Sequence, residues 1–272
     1  MRFASLGSGS EGNALVVETS DGVRLTRVLL DCGFGLRETE QRLARLGLEA
    51  QQLDAIVVTH EHGDHVGGVA RLARKHRIPV WMTYGTYVAS RLGSIGTTTR
   101  SAQSNGGSDA LEVFLIDHHA PFAVGALEIL PFPVPHDARE PAQYVFSDGA
   151  RRLGVLTDLG SVTAHVTLML SHCDGLVLEC NHDAHLLASG AYYPPALKAR
   201  VGGAYGHLDN HQAAQLLGDL KHAGLQHVLA AHLSAQNNTP ALARAALAGA
   251  LDCAPEWVGI ADQAEGFGWR SL

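Results

Sequence analysis

The chain has 272 residues, of which 20 are Lys or Arg and 27 are Asp or Glu, so its formal net charge is −7 at pH 7. The charged fraction of 17% and the hydrophobic fraction of 46% exclude an intrinsically disordered chain. The acidic balance excludes a generally basic nucleic-acid-binding protein, although it permits a local basic patch. The 16 histidines are the feature of the composition that requires an explanation.

The four cysteines (Cys32, Cys173, Cys180 and Cys253) are far apart and form no CxxC pair, which is typical of reduced, mostly buried thiols. The N-terminal region lacks the apolar segment of a signal peptide. No uncharged apolar run reaches the roughly 18 residues that a membrane-spanning helix needs. We therefore expect a cytoplasmic protein that does not contact membranes.

Strands and helices alternate in the predicted first half of the chain. Strands rich in Val, Leu and Ile are predicted at 13–18, 24–31, 54–59 and 79–82, and helices at 36–46 and 66–76. A segment rich in Gly, Ser and Thr at 93–109 is predicted to be a flexible loop or a lid.

The predicted second half begins with a block of strands and then alternates again. Strands are predicted at 111–117, 126–133, 143–147, 152–157, 175–179, 227–232, 256–261 and 266–269, and helices at 161–169, 210–220 and 240–251. Strands separated by helices indicate a layered α/β fold. No linker-like segment divides the chain, so we expect a single domain over residues 1–272.

The strongest chemical signal is the segment THEHGDH at 59–65, between a predicted buried strand and a predicted helix. His60 and His62 are two positions apart, so an extended backbone points both imidazoles the same way. Asp64 and His65 come from the start of the helix. Three imidazoles and a carboxylate suit zinc, or iron and manganese where oxygen ligands contribute more. Four ligands this close divide most naturally between two metal ions.

Three further candidate ligands each follow a predicted strand: His136, Asp158 and His232. In layered α/β folds, ligand-binding groups gather at the ends of strands. With these residues the whole chain resembles the metallo-β-lactamase fold superfamily, whose signature is HxHxDH followed by a distant His, Asp and His. The resemblance implies a four-layer αββα sandwich of two mixed β-sheets flanked by helices, with a dinuclear site at one edge. It implies one ion held by His60, His62 and His136, and a second held by Asp64, His65 and His232, with Asp158 bridging both.

Finer features resemble one branch, the YycJ (WalJ, VicX) group of metal-dependent hydrolases. They are the segments SLGSGSEGN at 5–13, LDCG at 30–33, ECNHD at 179–183, GHLDN at 206–210 and HLSAQNNTP at 232–240. The resemblance implies a 5′-to-3′ DNA exonuclease linked to DNA repair, acting on DNA or another phosphodiester. One position departs from the group's pattern, which has Ser where this chain has Asp209. An extra carboxylate near the site would repel a phosphate.

The implied cofactors are two divalent metal ions, zinc in the first place and manganese or iron as alternatives, which activate a shared water molecule for attack on phosphorus. Asp64 would bind metal and accept a hydrogen bond from that water. Asp31 is expected to accept a hydrogen bond from a ligand imidazole. His182 and His207 are candidates for contacting the substrate phosphate or protonating the leaving oxygen, with a structural role as the alternative.

The glycine- and serine-rich segment at 7–13 offers donors that could cradle a phosphate, so Ser8, Ser10 and Asn13 are candidate substrate contacts. A tight hairpin turn is the alternative for this segment. A short basic run (Arg71, Arg74, Lys75 and Arg77) is either a solvated helix face or a DNA backbone contact.

Two other functions remain open. A thiolester or lactone hydrolase resembling glyoxalase II would use the same metal site with a different substrate pocket. A non-catalytic metal-binding signalling module is the other alternative, against which the intact set of seven candidate ligands argues. The sequence gives no indication of oligomeric state.

Overall fold

The computed structural model describes residues 1–92, 97–100 and 111–272. Within these residues the strands are β1 (Arg2–Gly7), β2 (Ala14–Ser20), β3 (Leu25–Leu30), β4 (Ala55–Val57), β5 (Val80–Thr83), β6 (Thr97–Arg100), β7 (Leu111–Ile116), β8 (Phe122–Val124), β9 (Leu127–Pro133), β10 (Ala142–Ser147), β11 (Arg152–Leu156), β12 (Gly175–Glu179), β13 (His227–Ala231), β14 (Gly259–Ile260) and β15 (Phe267–Ser271). The helices are α1 (Leu36–Arg45), α2 (Gly63–Val66), α3 (Val69–His76), α4 (Tyr84–Ala89), α5 (Ala164–Leu170), α6 (Ala184–Ser189), α7 (Pro195–Val201), α8 (Asn210–Leu220) and α9 (Pro240–Leu251).

The described strands form two mixed sheets. The first has eight strands in the order β15-β1-β2-β3-β4-β5-β7-β6, and the second has seven in the order β14-β13-β12-β11-β10-β9-β8. In the first sheet, β3, β4, β5 and β7 run parallel, and in the second β11 to β14 do. Parallel strands end at the same edge of a sheet, so the residues that follow them are brought together.

Alternating side chains of the buried strands explain the layers. In β3, Val28 and Leu30 pack into the core between the sheets, whereas Leu29 packs against the helices on the outer face of the first sheet. A third apolar cluster lies between the second sheet and helices α5, α8 and α9. Helix, sheet, sheet and helix follow one another, which confirms the expected four-layer αββα sandwich.

The main differences from the predicted elements have local causes. The helix predicted at 66–76 starts earlier and is split into α2 and α3 at Gly67 and Gly68. The helix predicted at 161–169 starts later, because the Thr163 side chain accepts a hydrogen bond from Val166 N–H and caps α5. The strand predicted at 256–261 begins as a 3-10 helix, Pro255–Trp257, since proline suits the first position of a helical turn.

Several short elements were not predicted, namely β1, β8, α4, α6 and α7. The loop predicted at 93–109 is wrong at residues 97–100, which form strand β6 and pair with β7, and the rest of that prediction lies outside the described residues. Among the described residues no helix combines the length and the apolar character needed to cross a bilayer.

Candidate metal centre

The candidate site lies where strands of both sheets end. Asp31 follows β3, His60 follows β4, Asp158 follows β11 and His232 follows β13. Asp31, Asp158 and His232 have φ angles of 59°, 54° and 54°, in the left-handed region that residues other than glycine rarely adopt. Strained backbone of this kind clusters at functional sites, where the surrounding fold holds it in place.

All seven sequence-predicted ligands come together there. Within the described residues, two groups of three offer ligand atoms that lie within 4.8 Å of one another: His60 with His62 and His136, and Asp64 with His65 and His232. Asp158 joins His60 and His65 in a further group under the same limit. The two groups are those that the resemblance implied for two separate ions, and Asp158 lies in contact with both.

A buried carboxylate, Asp31, orients two of the imidazoles through their Nδ1 atoms, one directly and one through Thr59. Its Oδ2 lies 2.8 Å from His65 Nδ1 and accepts a hydrogen bond from the Thr59 hydroxyl at 2.9 Å. The Thr59 hydroxyl in turn lies 2.9 Å from His60 Nδ1. Because Nδ1 of both rings is engaged, Nε2 of both is left to face the cluster. This is the role that the sequence predicted for Asp31.

The His60 imidazole gives the test of whether a metal fits. His60 is fully buried, and its Nε2 atom has no hydrogen-bond partner among the described residues. Burial and the neighbouring His65 hold the pKa of His60 well below its usual value, so the ring is neutral and can donate its lone pair. Buried polar atoms are normally satisfied, and a metal ion would satisfy this one. The donor set therefore fits a divalent ion.

A second buried carboxylate, Glu179, was not identified as a site residue from the sequence. It ends β12, and its Oε1 lies 2.7 Å from His207 Nδ1 and 3.2 Å from His232 Nδ1. Its Oε2 accepts hydrogen bonds from the backbone N–H groups of Leu159 and Leu208 at 2.9 and 3.0 Å. Glu179 thus orients His232 as Asp31 orients His65, and it fixes His207 at the same time.

The carboxylates and imidazoles of this cluster shift one another's pKa values. Burial alone would raise the pKa of Glu179, but His207 and His232 outweigh it and lower that pKa to about 2. Burial would lower the pKa of His232, but the nearby Asp158 and Asp64 raise it to about 10. Without metal, buried carboxylates are therefore balanced by protonated imidazoles. Metal binding replaces such protons, because a ligand imidazole must be neutral.

The segment at 7–13 is the turn between β1 and β2, and two of its three candidate substrate contacts are buried. The Ser8 hydroxyl donates to Asn13 Oδ1 and accepts a hydrogen bond from His232 N–H, both at 2.9 Å. Asn13 N–H donates to the Asp64 carbonyl at 2.8 Å, and Asn13 Nδ2 lies 3.3 Å from Asp64 Oδ2. Ser10 alone of the three lines the open cleft. Ser8 and Asn13 therefore hold two candidate ligands in position.

The LDCG segment at 30–33 packs directly on α2. Cys32 N–H donates to the His65 carbonyl at 2.7 Å, and Gly33 N–H donates to the Asn13 carbonyl at 3.1 Å. A Cβ atom on Gly33 would lie 1.9 Å from the Asp64 carbonyl oxygen, so only glycine allows this approach. The position of the ligand-bearing helix thus depends on the absence of a side chain at residue 33.

The cluster opens into a cleft of about 200 Å³, lined among others by Asp64, Asp158, His207 and His232. The His207 side chain is 20% exposed and faces this cleft. His182 is 3% exposed and is not among the lining residues. Of the two histidines proposed to meet the substrate, only His207 is therefore placed to reach it.

Among the described residues that line the cleft, Arg200 of α7 is the one Lys or Arg side chain, and its Nε lies 2.5 Å from Asp137 Oδ2. The basic run at 71–77 contributes no residue to the lining, and its Lys75 forms an ion pair with Glu40 at 2.7 Å. Arg200 lay outside every sequence motif, so sequence reasoning missed it.

Asp209 lies at the start of α8 and serves as its N-cap. Its Oδ1 accepts a hydrogen bond from Gln212 N–H at 2.7 Å, and the Gln212 side chain accepts one from Asp209 N–H at 3.0 Å. Asp209 is not among the residues that line the cleft. Asp and Ser are comparable N-caps, so Asp at this position keeps the cap and adds no carboxylate to the cleft lining.

Comparisons with known proteins agree with this geometry. Residues 26–232 match the family model described as a β-lactamase superfamily domain. The exodeoxyribonuclease YycJ of Bacillus anthracis is 33% identical over 93% of this chain and 89% of its own length. The exodeoxyribonuclease WalJ of Streptococcus pneumoniae is 30% identical over 95% of this chain and 91% of its own. Among solved structures, zinc-bound PqqB from Methylobacterium extorquens superposes with a TM-score of 0.72 at 17% identity, covering 100% of both chains.

Fold and site together define an enzyme, a metal-dependent hydrolase with the metallo-β-lactamase fold. The chain belongs to the β-lactamase superfamily, in the group that contains YycJ and WalJ.

Proposed function

We propose that this protein is a dinuclear-metal-dependent phosphodiester hydrolase, and that it is a DNA exonuclease acting from the 5′ end. The observation that carries the proposal is the pair of three-residue ligand groups beside one another, with Asp158 in contact with both. The names of the YycJ and WalJ relatives support DNA as the substrate. One ion would be held by His60, His62 and His136, the other by Asp64, His65 and His232, with Asp158 between them.

Zinc suits this donor set, and manganese or iron are the alternatives. When bound, two divalent ions would neutralise phosphate charge and acidify a water molecule. Asp64 lines the cleft, and its neighbours His232 and His65 outweigh burial and hold its pKa well below the usual value. It therefore stays ionised and can accept a hydrogen bond from the attacking water.

His207 is the group we assign to the leaving oxygen. Its Nδ1 lies 2.7 Å from Glu179 Oε1, so Nε2 is the ring atom left for the cleft. Burial lowers the pKa of His207, but Glu179 and then Asp158 outweigh it and raise that pKa above its ordinary value, which favours the protonated ring. A protonated imidazole at the cleft can act as a general acid toward the departing alkoxide.

Arg200 is the group we assign to the non-reacting oxygens of the phosphate. It is largely exposed and lines the cleft, and within the described part of the chain Asp137 pairs with its Nε alone, which leaves the two NH₂ groups for a second anion. A phosphodiester carries a negative charge before, during and after hydrolysis, whereas the reacting carbonyl of a thiolester or lactone gains one only in the transition state. This favours the phosphodiester over the alternative substrates.

The test is digestion of end-labelled DNA of defined polarity with added Mn²⁺ or Zn²⁺, comparing the wild type with Asp64→Ala. We expect degradation from the 5′ end by the wild type and a loss of at least two orders of magnitude in the variant, since Asp64 serves both as ligand and as acceptor. Asp209→Ser is the matched control, because it also removes a carboxylate but preserves the cap of α8. Equal degradation by wild type and Asp64→Ala would show that the site assignment is wrong.

Hydrolysis of bis-p-nitrophenyl phosphate and of a thiolester separates the substrate classes. Turnover of the thiolester without turnover of the phosphodiester would contradict the proposal and favour a glyoxalase II-like enzyme. Metal-loaded protein that hydrolyses neither would favour the non-catalytic module.

We also propose that residues 1–272 form a single domain. The support is that β15, at one end of the chain, pairs with β1 at the other, so both termini belong to one sheet. A location in the cytoplasm stays a prediction.

A further inference from the structure

One part of the cleft is lined by apolar and aromatic side chains, and we call it the apolar wall: Tyr193, Leu197 and Val201. Gly206 aside, every other described residue that lines the cleft has a polar or charged side chain. The apolar wall therefore comes from a single segment of the chain, helix α7 and the residues just before it. None of its three residues belongs to a candidate ligand group.

Helix α7 presents both apolar and charged groups to the cleft from one face. Leu197, Arg200 and Val201 stand at positions i, i+3 and i+4, which are neighbours on a helix surface. Leu197 and Val201 are half-buried, whereas the Arg200 side chain is 63% exposed. The arginine that we assign to the phosphate oxygens therefore lies beside two apolar side chains in the same cleft.

The end of α7 is bonded to the segment that carries His207. His207 N–H donates to the Val201 carbonyl at 2.8 Å, and the Gly206 carbonyl lies 3.0 Å from His136 Nδ1. A Cβ atom on Gly206 would lie 2.2 Å from the carbonyl oxygens of Arg200 and Val201, so glycine is what allows this close approach. The apolar wall is thus held in place relative to His207 and to a candidate ligand.

A ligand that uses both parts of the cleft carries an anionic group and an apolar group close together. A bare phosphate would leave the apolar wall exposed to water, and the acyl chain of an uncharged ester would bring no anion to Arg200. A nucleotide has both groups. Its base can stack on an aromatic ring such as that of Tyr193, and stacking tolerates any base because every base has a π-face. The sugar and the base edge offer further surface to Leu197 and Val201.

We propose that the apolar wall binds the nucleoside of the nucleotide next to the scissile phosphate, with the Tyr193 ring stacked on its base. This inference rests on the proposed phosphodiesterase function, and it adds the residues that recognise the nucleoside part of the substrate. The last base of a strand has one face free of a stacked neighbour, whether that base is paired or not, whereas a base inside a strand has both faces covered. The apolar wall therefore suits an enzyme that acts at strand ends, and it sets no requirement on pairing.

The binding test compares two ligands that differ only in the base, thymidine 5′-monophosphate and 1,2-dideoxyribose 5-phosphate. Titration calorimetry of the metal-loaded protein should give the lower Kd for the first. Tyr193→Ala should raise the Kd of thymidine 5′-monophosphate about 5- to 150-fold and leave that of the abasic ligand within about twofold. Tyr193→Phe should bind both as the wild type does, since the ring is kept. Tyr84→Ala is the matched control, because Tyr84 is 63% exposed and does not line the cleft.

The kinetic readout is the hydrolysis of an end-labelled oligonucleotide, for which Tyr193→Ala should raise KM more than it lowers kcat, because the lost contact is to a part of the substrate that does not react.

Four outcomes would each overturn the inference. They are equal Kd values, or no binding, of the two ligands in the wild type, an equal loss of both in Tyr193→Ala, a defect of Tyr193→Phe equal to that of Tyr193→Ala, and a Tyr193→Ala variant impaired only toward a thiolester, which would assign the apolar wall to an acyl group. If the wild type hydrolysed no phosphodiester while the base still lowered the Kd through Tyr193, the proposed activity would be wrong and the nucleoside site would stand.

Discussion

The role of Glu179 gives the most direct test of how the site is held together. The change Glu179→Gln preserves the shape of a side chain that is fully buried, so it leaves no cavity. It replaces one carboxylate oxygen by an NH₂ donor, while all the groups around it are donors: two imidazole nitrogens at 2.7 and 3.2 Å and two backbone N–H groups at 2.9 and 3.0 Å. In the variant, at least one of these four donors therefore faces the new NH₂ group and loses its acceptor.

The expected losses of stability and of metal affinity can each be given a magnitude. Lowering the pKa of Glu179 from 4.5 to about 2 corresponds to roughly 3 kcal/mol of interaction with the ionised form. This agrees with the ~3–5 kcal/mol lost when one partner of a buried ion pair is removed. For metal binding, loss of the acceptor behind a ligand imidazole such as His232 typically costs about 10- to 100-fold in affinity.

We therefore expect Glu179→Gln to weaken Zn²⁺ or Mn²⁺ binding about 10- to 100-fold, measured by competition with a chelator. The free energy of unfolding of the metal-free protein should also fall by roughly 3 kcal/mol in a denaturant titration. Glu18→Gln is the matched control, since Glu18 is also a buried carboxylate but bonds Arg2 and Arg27 across β1, β2 and β3, away from the site. Metal affinity of Glu179→Gln within twofold of the wild type would refute the reasoning.

Three further predictions test particular contacts. Gly33→Ala should destabilise the protein by about 1–3 kcal/mol and weaken metal binding, because its Cβ would lie 1.9 Å from the Asp64 carbonyl; a melting temperature equal to that of the wild type would contradict this. Glu18→Gln should destabilise at neutral pH, since the two arginines outweigh burial and lower the pKa of Glu18. That stability is present above the unfolded-state pKa and is lost as pH falls through the folded one, so unfolding curves of Glu18→Gln and wild type should converge in acid, and a difference independent of pH would contradict it. Asp209→Ser should retain nuclease activity and stability, whereas Asp209→Ala should lose ~0.5–2 kcal/mol of stability through the cap alone; loss of both in the serine variant would indicate a role for the carboxylate itself.

The parts of the site that could be predicted are those in which the sequence places chemistry next to secondary structure. The spacing of His60, His62, Asp64 and His65 is local, and a strand followed by a helix fixes their directions. Asp158 could be proposed because a carboxylate ends a buried apolar strand. Glu179 carries the same signal, since it ends the predicted strand 175–179, and applying the same rule there would have found it.

The parts that could not be predicted depend on contacts between distant positions. Ser8 bonds His232 across 224 residues, and no pattern of spacing reports such a pair. By chemistry alone Ser8 and Asn13 are candidate substrate contacts or parts of a hairpin turn, whereas the structure has them in that turn and bonded to ligand-bearing segments. Helices as short as α6 and α7 have too few residues to show a helical period, so the position of Arg200 at the cleft was also out of reach.

The negative net charge of the chain has to be counted together with the metal ions that the site is proposed to hold. Four carboxylates converge on the proposed metals: Asp64 and Asp158 at the ligand groups, and Asp31 and Glu179 behind the imidazoles. Two divalent ions would offset these four charges and bring the formal net charge from −7 to about −3. The cleft would then meet a phosphodiester as a nearly neutral pocket with Arg200 at its side, so the acidity of the whole protein does not oppose a nucleic-acid substrate. Without the ions, protonated imidazoles balance these carboxylates but no divalent ion is present to pair with a phosphate, so DNA binding should weaken on metal removal even in protein that cannot cleave.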